Sequence, residues 1–205
     1  MIHTLIFDIG NVLAAFDWRG YLDSWQLPPE EDAIVERVLF RSPMWKEVDR
    51  GSVPDDELLD EIVKDAPGFE ELIRRVYRGA AVAVNEYPYA PGLLKDLREQ
   101  GYRIYILSNY GKTFYEERLS HFRFLEHTDG QVISYQEKHI KPEPEIYEAL
   151  ISRFGIEPET AVFFDDLPDN LSAAEKFGLH TVQVTGYESI VEGLARFGIG
   201  ISTGA

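Results

Sequence analysis

The stretch that decides the fold is Leu5-Ile6-Phe7-Asp8-Ile9-Gly10-Asn11-Val12, near the start of the chain. Three apolar residues lead directly into one carboxylate, and Gly10 and Asn11 then suit a tight turn. An uninterrupted apolar run of this kind is typical of a strand buried on both faces of a parallel sheet. An acid at the carboxyl end of such a strand lies where open α/β sheets bind their ligands. Asp8 is therefore a candidate functional residue, although a turn or a cap would also explain it.

The second half of the chain alternates between strand and helix patterns. Further strands are predicted over residues 102–107, 131–134, 160–164 and 180–184, and helices are predicted between and after them. Strands that alternate with helices favour right-handed crossovers and a mostly parallel sheet. The fold prediction is therefore an α/β protein with a Rossmann-like parallel sheet, followed by a tail over residues 200–205.

A helical block separates the first strand from the others. From about Trp18 to about Val84 there is no clear strand pattern, and prolines divide the stretch into short helices, among them one over residues 30–41 and one over residues 70–77. Such an insert is expected to form an all-helical cap over the strand ends. The predicted domains are a core of residues 1–15 and 88–205 and a cap of residues 16–87, with hinges near residues 14–17 and 85–89.

Composition restricts the class of function. The 205 residues are 44% apolar and include no cysteine, which indicates a globular protein without disulfides or thiolate sites. A formal net charge of −16 argues against nucleic acid as a partner, whereas a small anionic substrate needs only a local positive site. No export signal or membrane span is visible, so a cytoplasmic protein without a membrane partner is expected. Monomer and dimer both stay open.

Polar residues follow four of the predicted strands and loops. They are Asp8, the pair Ser108-Asn109, Lys141 and the pair Asp165-Asp166. Each alone would suit a turn, a cap or a solvated surface, but the carboxyl ends of parallel strands meet at one edge of the sheet. Carboxylates there suit Mg²⁺, and a hydroxyl and a lysine suit a phosphate group. A cation would also let a carboxylate attack a phosphate dianion, which charge repulsion otherwise opposes.

Four motifs, in this order, make the chain resemble the haloacid dehalogenase (HAD) superfamily of hydrolases. They are LIFDIGNV at residues 5–12, ILSN at 106–109, KPEPEIY at 141–147 and VFFDDLPDN at 162–170. The resemblance covers essentially the whole chain, because the helical block matches the inserted cap of that family. The subgroup that it resembles is that of the sugar-phosphate (glucose-1-phosphate-type) phosphatases, which share the acid-x-Gly-Asn-Val start and a cap turn like residues 49–53.

The resemblance implies a Mg²⁺-dependent phosphatase that hydrolyses a small phosphate monoester, expected to be a sugar phosphate, through an aspartyl-phosphate. The implied positions are Asp8 and Lys141 for catalysis, Asp8, Gly10 and Asp166 for the metal, and Asn11, Ser108, Asn109 and Lys141 for the phosphate. Asp165 would support Lys141 or the loop, and Asn170 would orient Lys141 or a water bound to the metal. Trp18, Trp45 and Arg50 are the candidate substrate contacts in the cap.

Gly10 departs from the pattern of the family. Most of its phosphatases carry a second Asp two residues after the nucleophile, which acts as general acid and base. Because such help is typically worth about 10²- to 10⁴-fold, we expect moderate turnover and a preference for leaving groups of low pKa, such as an anomeric oxygen. Two alternatives stay open: a 2-haloacid dehalogenase, a branch that uses no metal and usually has a bulky Tyr at this position, and a catalytically impaired, phospholigand-binding or regulatory protein.

Overall fold

A computed structural model describes residues 1–201 of the chain. Its strands are β1 (Thr4–Phe7), β2 (Ala14–Phe16), β3 (Val84–Glu86), β4 (Arg103–Ser108), β5 (Gly130–Ile133), β6 (Ala161–Asp165) and β7 (His180–Gln183). Five of them form a parallel sheet in the order β5-β4-β1-β6-β7. Strand β1 lies at its centre, where Phe7 pairs with Ile106 on one side and Phe164 on the other. The predicted α/β fold with a parallel sheet is confirmed.

Helices cover both faces of this sheet. The α-helices of the described residues are α1 (Trp18–Ser24), α2 (Pro29–Val35), α3 (Trp45–Arg50), α4 (Asp55–Ile62), α5 (Glu70–Gly79), α6 (Ala90–Glu99), α7 (Lys112–Arg118), α8 (Ser134–Glu137), α9 (Pro144–Phe154), α10 (Pro168–Glu175) and α11 (Tyr187–Arg196). Alternate residues of β1 point to opposite faces of the sheet. Leu5 and Phe7 pack in the apolar cluster that includes α6 and α11, whereas Ile6 packs in the cluster that includes α9 and α10. This two-sided burial explains the unbroken apolar run before Asp8.

The helical block between β2 and β3 consists of α1 to α5 with short irregular turns. The helix predicted over residues 30–41 is divided into α2 and a π-helical turn, Glu36–Phe40. At the base of the block, β2 and β3 form an antiparallel pair in which Ala15 lies opposite Asn85. The sequence predicted only hinges here and missed the pair, because three-residue strands are too short to show a period. Of the predicted cap boundaries, residue 16 is the last residue of β2 and residue 87 directly follows β3.

Residues 197–201, the last that the structure describes, follow α11 and form no further helix or strand. Of the predicted tail, residues 202–205 lie outside the described residues. Within residues 1–201, no helix combines the length and the apolar character that a membrane crossing requires.

Candidate active site

Asp8 follows β1 directly and is buried at the carboxyl edge of the sheet. Its Oδ1 accepts the main-chain N–H of Ile9 at 2.7 Å and lies 2.9 Å from the Lys141 ammonium. Burial raises the pKa of Asp8 to about 6; the Lys141 charge opposes this rise, and the charge of Asp165 adds to it. The carboxylate is therefore ionised at neutral pH and faces a cation.

Lys141 joins two of the acids. Its Nζ donates to Asp165 Oδ2 at 2.6 Å, in addition to its contact with Asp8, and lies 5.3 Å from the centre of the Phe163 ring. Burial disfavours the ammonium, but the charges of Asp165 and Asp8 outweigh burial and raise the pKa of Lys141. Lys141 is thus a fixed positive charge beside Asp8.

Asp165 is fully buried, and both of its carboxylate oxygens accept hydrogen bonds. Its Oδ1 accepts the N–H of Leu167 at 2.8 Å, and its Oδ2 accepts Lys141. The Asn170 side-chain amide donates to both oxygens, at 3.0 and 3.1 Å. Asp165 and Asn170 therefore position Lys141 and the loop after β6.

The carboxylate oxygens of Asp8, Asp165 and Asp166 lie within 4.8 Å of one another. Asp166 is half-buried, and its Oδ2 accepts the Asn11 side-chain amide at 3.0 Å. Three clustered carboxylates make a hard-oxygen donor set, which fits Mg²⁺. Because both Asp165 oxygens are engaged, Asp8 and Asp166 are the carboxylates suited to hold the ion.

Ser108 and Asn109 lie at the end of the neighbouring strand β4 and differ in their contacts. The Ser108 hydroxyl is buried beside the Asp8 carboxyl group, whose pKa it lowers, and, within residues 1–201, it makes no hydrogen bond of normal geometry. A buried hydroxyl of this kind fits the oxygen of a ligand. The Asn109 side chain instead donates to the Lys141 carbonyl at 3.0 Å and accepts the Lys141 N–H at 2.7 Å. It holds the Lys141 main chain and does not point a free amide at a phosphate.

A cavity of about 90 Å³ lies between the helical block and the strand ends. It is lined by Gly10, Phe16, Trp45, Asp49, Ala80, Val84, Asn109, Tyr110 and Phe114. The wall is mostly aromatic or aliphatic, and Trp45 stacks on Phe114 with 5.5 Å between ring centres. The cavity therefore offers an apolar wall to a ligand whose polar end lies at the sheet edge.

A family model of the haloacid dehalogenase-like hydrolases matches residues 2–178. The chain belongs to this family. The predicted family, the fold and the hydrolase class are thereby confirmed.

Two curated proteins and one solved structure show how far the similarity extends. This HAD-like hydrolase is 26% identical to the sesquiterpene phosphatase astK of Aspergillus oryzae. The aligned region has 183 residues and covers 88% of each chain. The hydrolase is also 26% identical over 195 residues to the D-ribitol-5-phosphate phosphatase of Bacteroides thetaiotaomicron, over 89% of this chain and 92% of that one. A Bacteroides thetaiotaomicron HAD-family enzyme in complex with magnesium and inorganic phosphate shares the fold, with a TM-score of 0.68 and 23% identity over 89% of this chain and 94% of that one.

The three cap candidates of this HAD-like hydrolase lie in different places. Trp45 lines the cavity. Trp18 is not among the lining residues and stacks on Phe40, with 5.2 Å between ring centres. Arg50 donates to both oxygens of Glu143, each at 2.7 Å, and so links the end of α3 to the loop before α9. The structure thus brings Trp45 to the site and gives Trp18 and Arg50 packing and bridging contacts.

Two polar residues of the lining were not predicted as site residues of the hydrolase. Asp49 enters the cavity from α3, and Tyr110 enters from the loop after β4. The Tyr110 hydroxyl is buried and, among the described residues, has no hydrogen-bond partner. The only sequence signal for Asp49 was the similarity of the cap turn at residues 49–53, and Tyr110 had no signal beyond its position after Asn109.

Proposed function

We propose that this hydrolase is a Mg²⁺-dependent phosphatase that cleaves a small phosphate monoester through an aspartyl-phosphate on Asp8. The observation that carries the proposal is the buried pair of Asp8 and Lys141, 2.9 Å apart, beside an acid cluster that fits a divalent cation. A carboxylate that attacks a phosphate dianion needs such positive charge, because the two anions otherwise repel each other.

The residues would share the reaction as follows. Asp8 attacks phosphorus, the P–O bond to the alcohol breaks, and an aspartyl-phosphate forms; water then hydrolyses this mixed anhydride, which releases phosphate and regenerates the carboxylate. Lys141 keeps Asp8 ionised and balances the charge of the incoming phosphate, while the Ser108 hydroxyl donates to a phosphoryl oxygen. Mg²⁺, held by Asp8, Asp166 and the Gly10 carbonyl, would supply further positive charge at the phosphate when bound.

Sugar phosphates are the substrates that we propose first, since the relatives include a D-ribitol-5-phosphate phosphatase. The aromatic wall formed by Phe16, Trp45 and Phe114 suits the apolar face of a sugar ring. The same wall suits an apolar alcohol, the kind of leaving group that a sesquiterpene phosphatase releases. A substrate panel therefore has to contain both classes.

The proposal is tested by phosphate release from sugar and prenyl phosphates, with Mg²⁺ and with a chelator. We expect release in Mg²⁺, loss of release in chelator and recovery when Mg²⁺ is added back. Asp8→Asn keeps the shape but removes the nucleophile and is expected to abolish turnover. The exposed cap residue Asp56, changed to Asn, serves as the matched control.

Four results would contradict parts of this proposal. Release that is insensitive to chelator would overturn the Mg²⁺ assignment, and activity of Asp8→Asn would overturn the nucleophile assignment. A folded protein that releases no phosphate from the panel but binds the esters would support a phospholigand-binding protein. Halide release from 2-haloacids without a metal would instead identify a dehalogenase.

A further inference from the structure

Gly10 leaves room at the position where a second acid would stand. A Cβ built on Gly10 would meet only one atom among the described residues, Asp8 Oδ2, at 4.0 Å. Gly10 also lines the cavity, and residues of α3 line the same cavity. The space that a longer side chain would occupy beside Asp8 is therefore part of the cavity.

Asp49 is the acid of the cap that lines the same cavity. Its main-chain carbonyl accepts the Ser134 hydroxyl at 2.5 Å, which ties this end of α3 to the core. The neighbouring Arg50 binds both oxygens of Glu143, and Val48 packs closely against Gly111. Three successive cap residues thus hold the Asp49 main chain in a defined place over the strand ends.

Several charged and titratable groups surround the Asp49 carboxyl group. They are Asp8 and Lys141 at the sheet edge and the phenols of Tyr77 and Tyr110, whereas Arg50, the next residue on the helix, binds Glu143. Burial raises the pKa of Asp49 to about 7, the charge of Asp8 adds to the rise, and the Gly111 N–H and Lys141 oppose it. A carboxyl group that titrates near neutral pH can both give and accept a proton.

We infer that Asp49 is the general acid and base of the reaction and replaces, from the cap, the side chain that Gly10 lacks. The inference rests on the proposed phosphatase function. As Asp8 Oδ attacks phosphorus and the P–O bond to the alcohol breaks, the Asp49 proton moves to the alcohol oxygen. The Asp49 carboxylate then takes a proton from the water that attacks phosphorus, the Asp8–phosphorus bond breaks, and phosphate and free Asp8 result.

This role changes the expectation drawn from Gly10 alone. Without a general acid, the enzyme would favour leaving groups of low pKa. With Asp49 as the acid, the wild-type enzyme should hydrolyse an alkyl phosphate within about tenfold of p-nitrophenyl phosphate, since general acid catalysis offsets a poor leaving group. A much steeper dependence in the wild type would overturn the inference without the need for any variant.

The direct experiment compares these two esters in Asp49→Asn. We expect alkyl phosphate turnover to fall by about 10²- to 10⁴-fold. The first turnover of p-nitrophenyl phosphate should fall far less, and a burst of one nitrophenol per enzyme should appear because hydrolysis of the aspartyl-phosphate has lost its base. Asp49→Glu retains a carboxyl group and should restore part of the alkyl phosphate turnover, and Asp56→Asn should leave both rates unchanged.

The outcomes separate this inference from the proposed function. Equal losses for both esters in a folded Asp49→Asn, without a burst, would show a structural role and overturn the inference alone. A wild-type enzyme that releases no phosphate from either ester would overturn the phosphatase proposal and the inference together.

Discussion

At the scale of single residues, the central feature is one lysine buried between two carboxylates. Asp8, Asp165 and Lys141 are all at least nine-tenths buried, with 2.9 and 2.6 Å between the ammonium and the two acids. Buried charges are tolerated only when they are paired and hydrogen-bonded, and removing one partner leaves the others uncompensated. The charges of this cluster therefore affect the stability of the folded protein as well as the proposed reaction.

Replacement of Lys141 by Met should destabilise the protein in a pH-dependent way. The variant leaves Asp8 and Asp165 without their cation, which is expected to cost about 3–5 kcal/mol of unfolding free energy at pH 7.5 in chelator. The cost should shrink towards pH 5, because the unpaired carboxyl groups take up protons and lose their charge. Urea unfolding at both pH values measures this, with the exposed Lys95→Met as control. A loss that is equal at both pH values would contradict the account.

The ionised Asp49 carboxylate should destabilise the folded protein, since the pKa of Asp49 is raised in the folded state. Between its ordinary pKa of 3.8 and the raised value of about 7, the folded state holds the proton more firmly than the unfolded state. The stabilising contribution is therefore complete below about pH 4 and is lost as the pH rises through 7.

Asp49→Asn should accordingly have a higher Tm than the wild type at pH 8, and the difference should vanish towards pH 4. The Tm is expected to rise by about 2–4 °C for each kcal/mol by which the substitution raises the free energy of unfolding. Thermal melts in chelator at the two pH values measure the effect. Asp56→Asn controls for the loss of one negative charge from a protein with a net charge of −16; if it gave the same rise, the effect would be one of net charge.

At the scale of elements, the contact between α3 and the loop after β4 places the cap over the site. A Cβ at Gly111 would lie 2.8 Å from Val48 Cγ1 and 3.2 Å from the Val48 carbonyl oxygen. The φ angle of Gly111 is −69°, which any residue can adopt, so the need for glycine is one of space. Gly111 thus permits the close approach that brings Asp49 and Trp45 to the cavity.

Gly111→Ala should push α3 away from the strand ends. We expect an overpacking cost of about 1–3 kcal/mol, together with a raised KM and a lowered kcat, because both the cavity wall and Asp49 move. Steady-state kinetics and urea unfolding test this. Gly200→Ala is the matched control, since a Cβ there meets no atom within 4 Å. Unchanged kinetics in Gly111→Ala would show that this contact does not set the position of the cap.

At the scale of the whole molecule, the sheet gathers distant segments at one edge. Asp8, Ser108 and Asp165 end or follow three adjacent strands, β1, β4 and β6, and the helical block covers the same edge. A ligand at this edge contacts residues from segments that are far apart in the chain. Metal binding should therefore be coupled to global stability.

Mg²⁺ should raise the Tm of the wild-type protein as its concentration increases, by an amount equivalent to about 2.7 kcal/mol at 100 times the Kd. Asp166→Asn removes one proposed metal ligand, and the shift should be lost or should need far more Mg²⁺. Asp56→Asn should keep the full shift. Thermal melts over a Mg²⁺ titration measure this, and an undiminished shift in Asp166→Asn would place the metal elsewhere.

The sequence by itself determined the parallel sheet, the family and the acids and lysine of the core. Asp8 and Asp165 could be found because each adjoins a buried apolar run, and burial leaves a local periodic signal. The short pair of β2 and β3 left no such signal.

The tertiary structure alone decided the cap side of the site. That Trp45 and Asp49 line the cavity with Gly10, while Arg50 is engaged elsewhere, depends on how α3 packs against Gly111 and Glu143. Contacts between segments so far apart in the chain have no local pattern, because they depend on shape and space after folding.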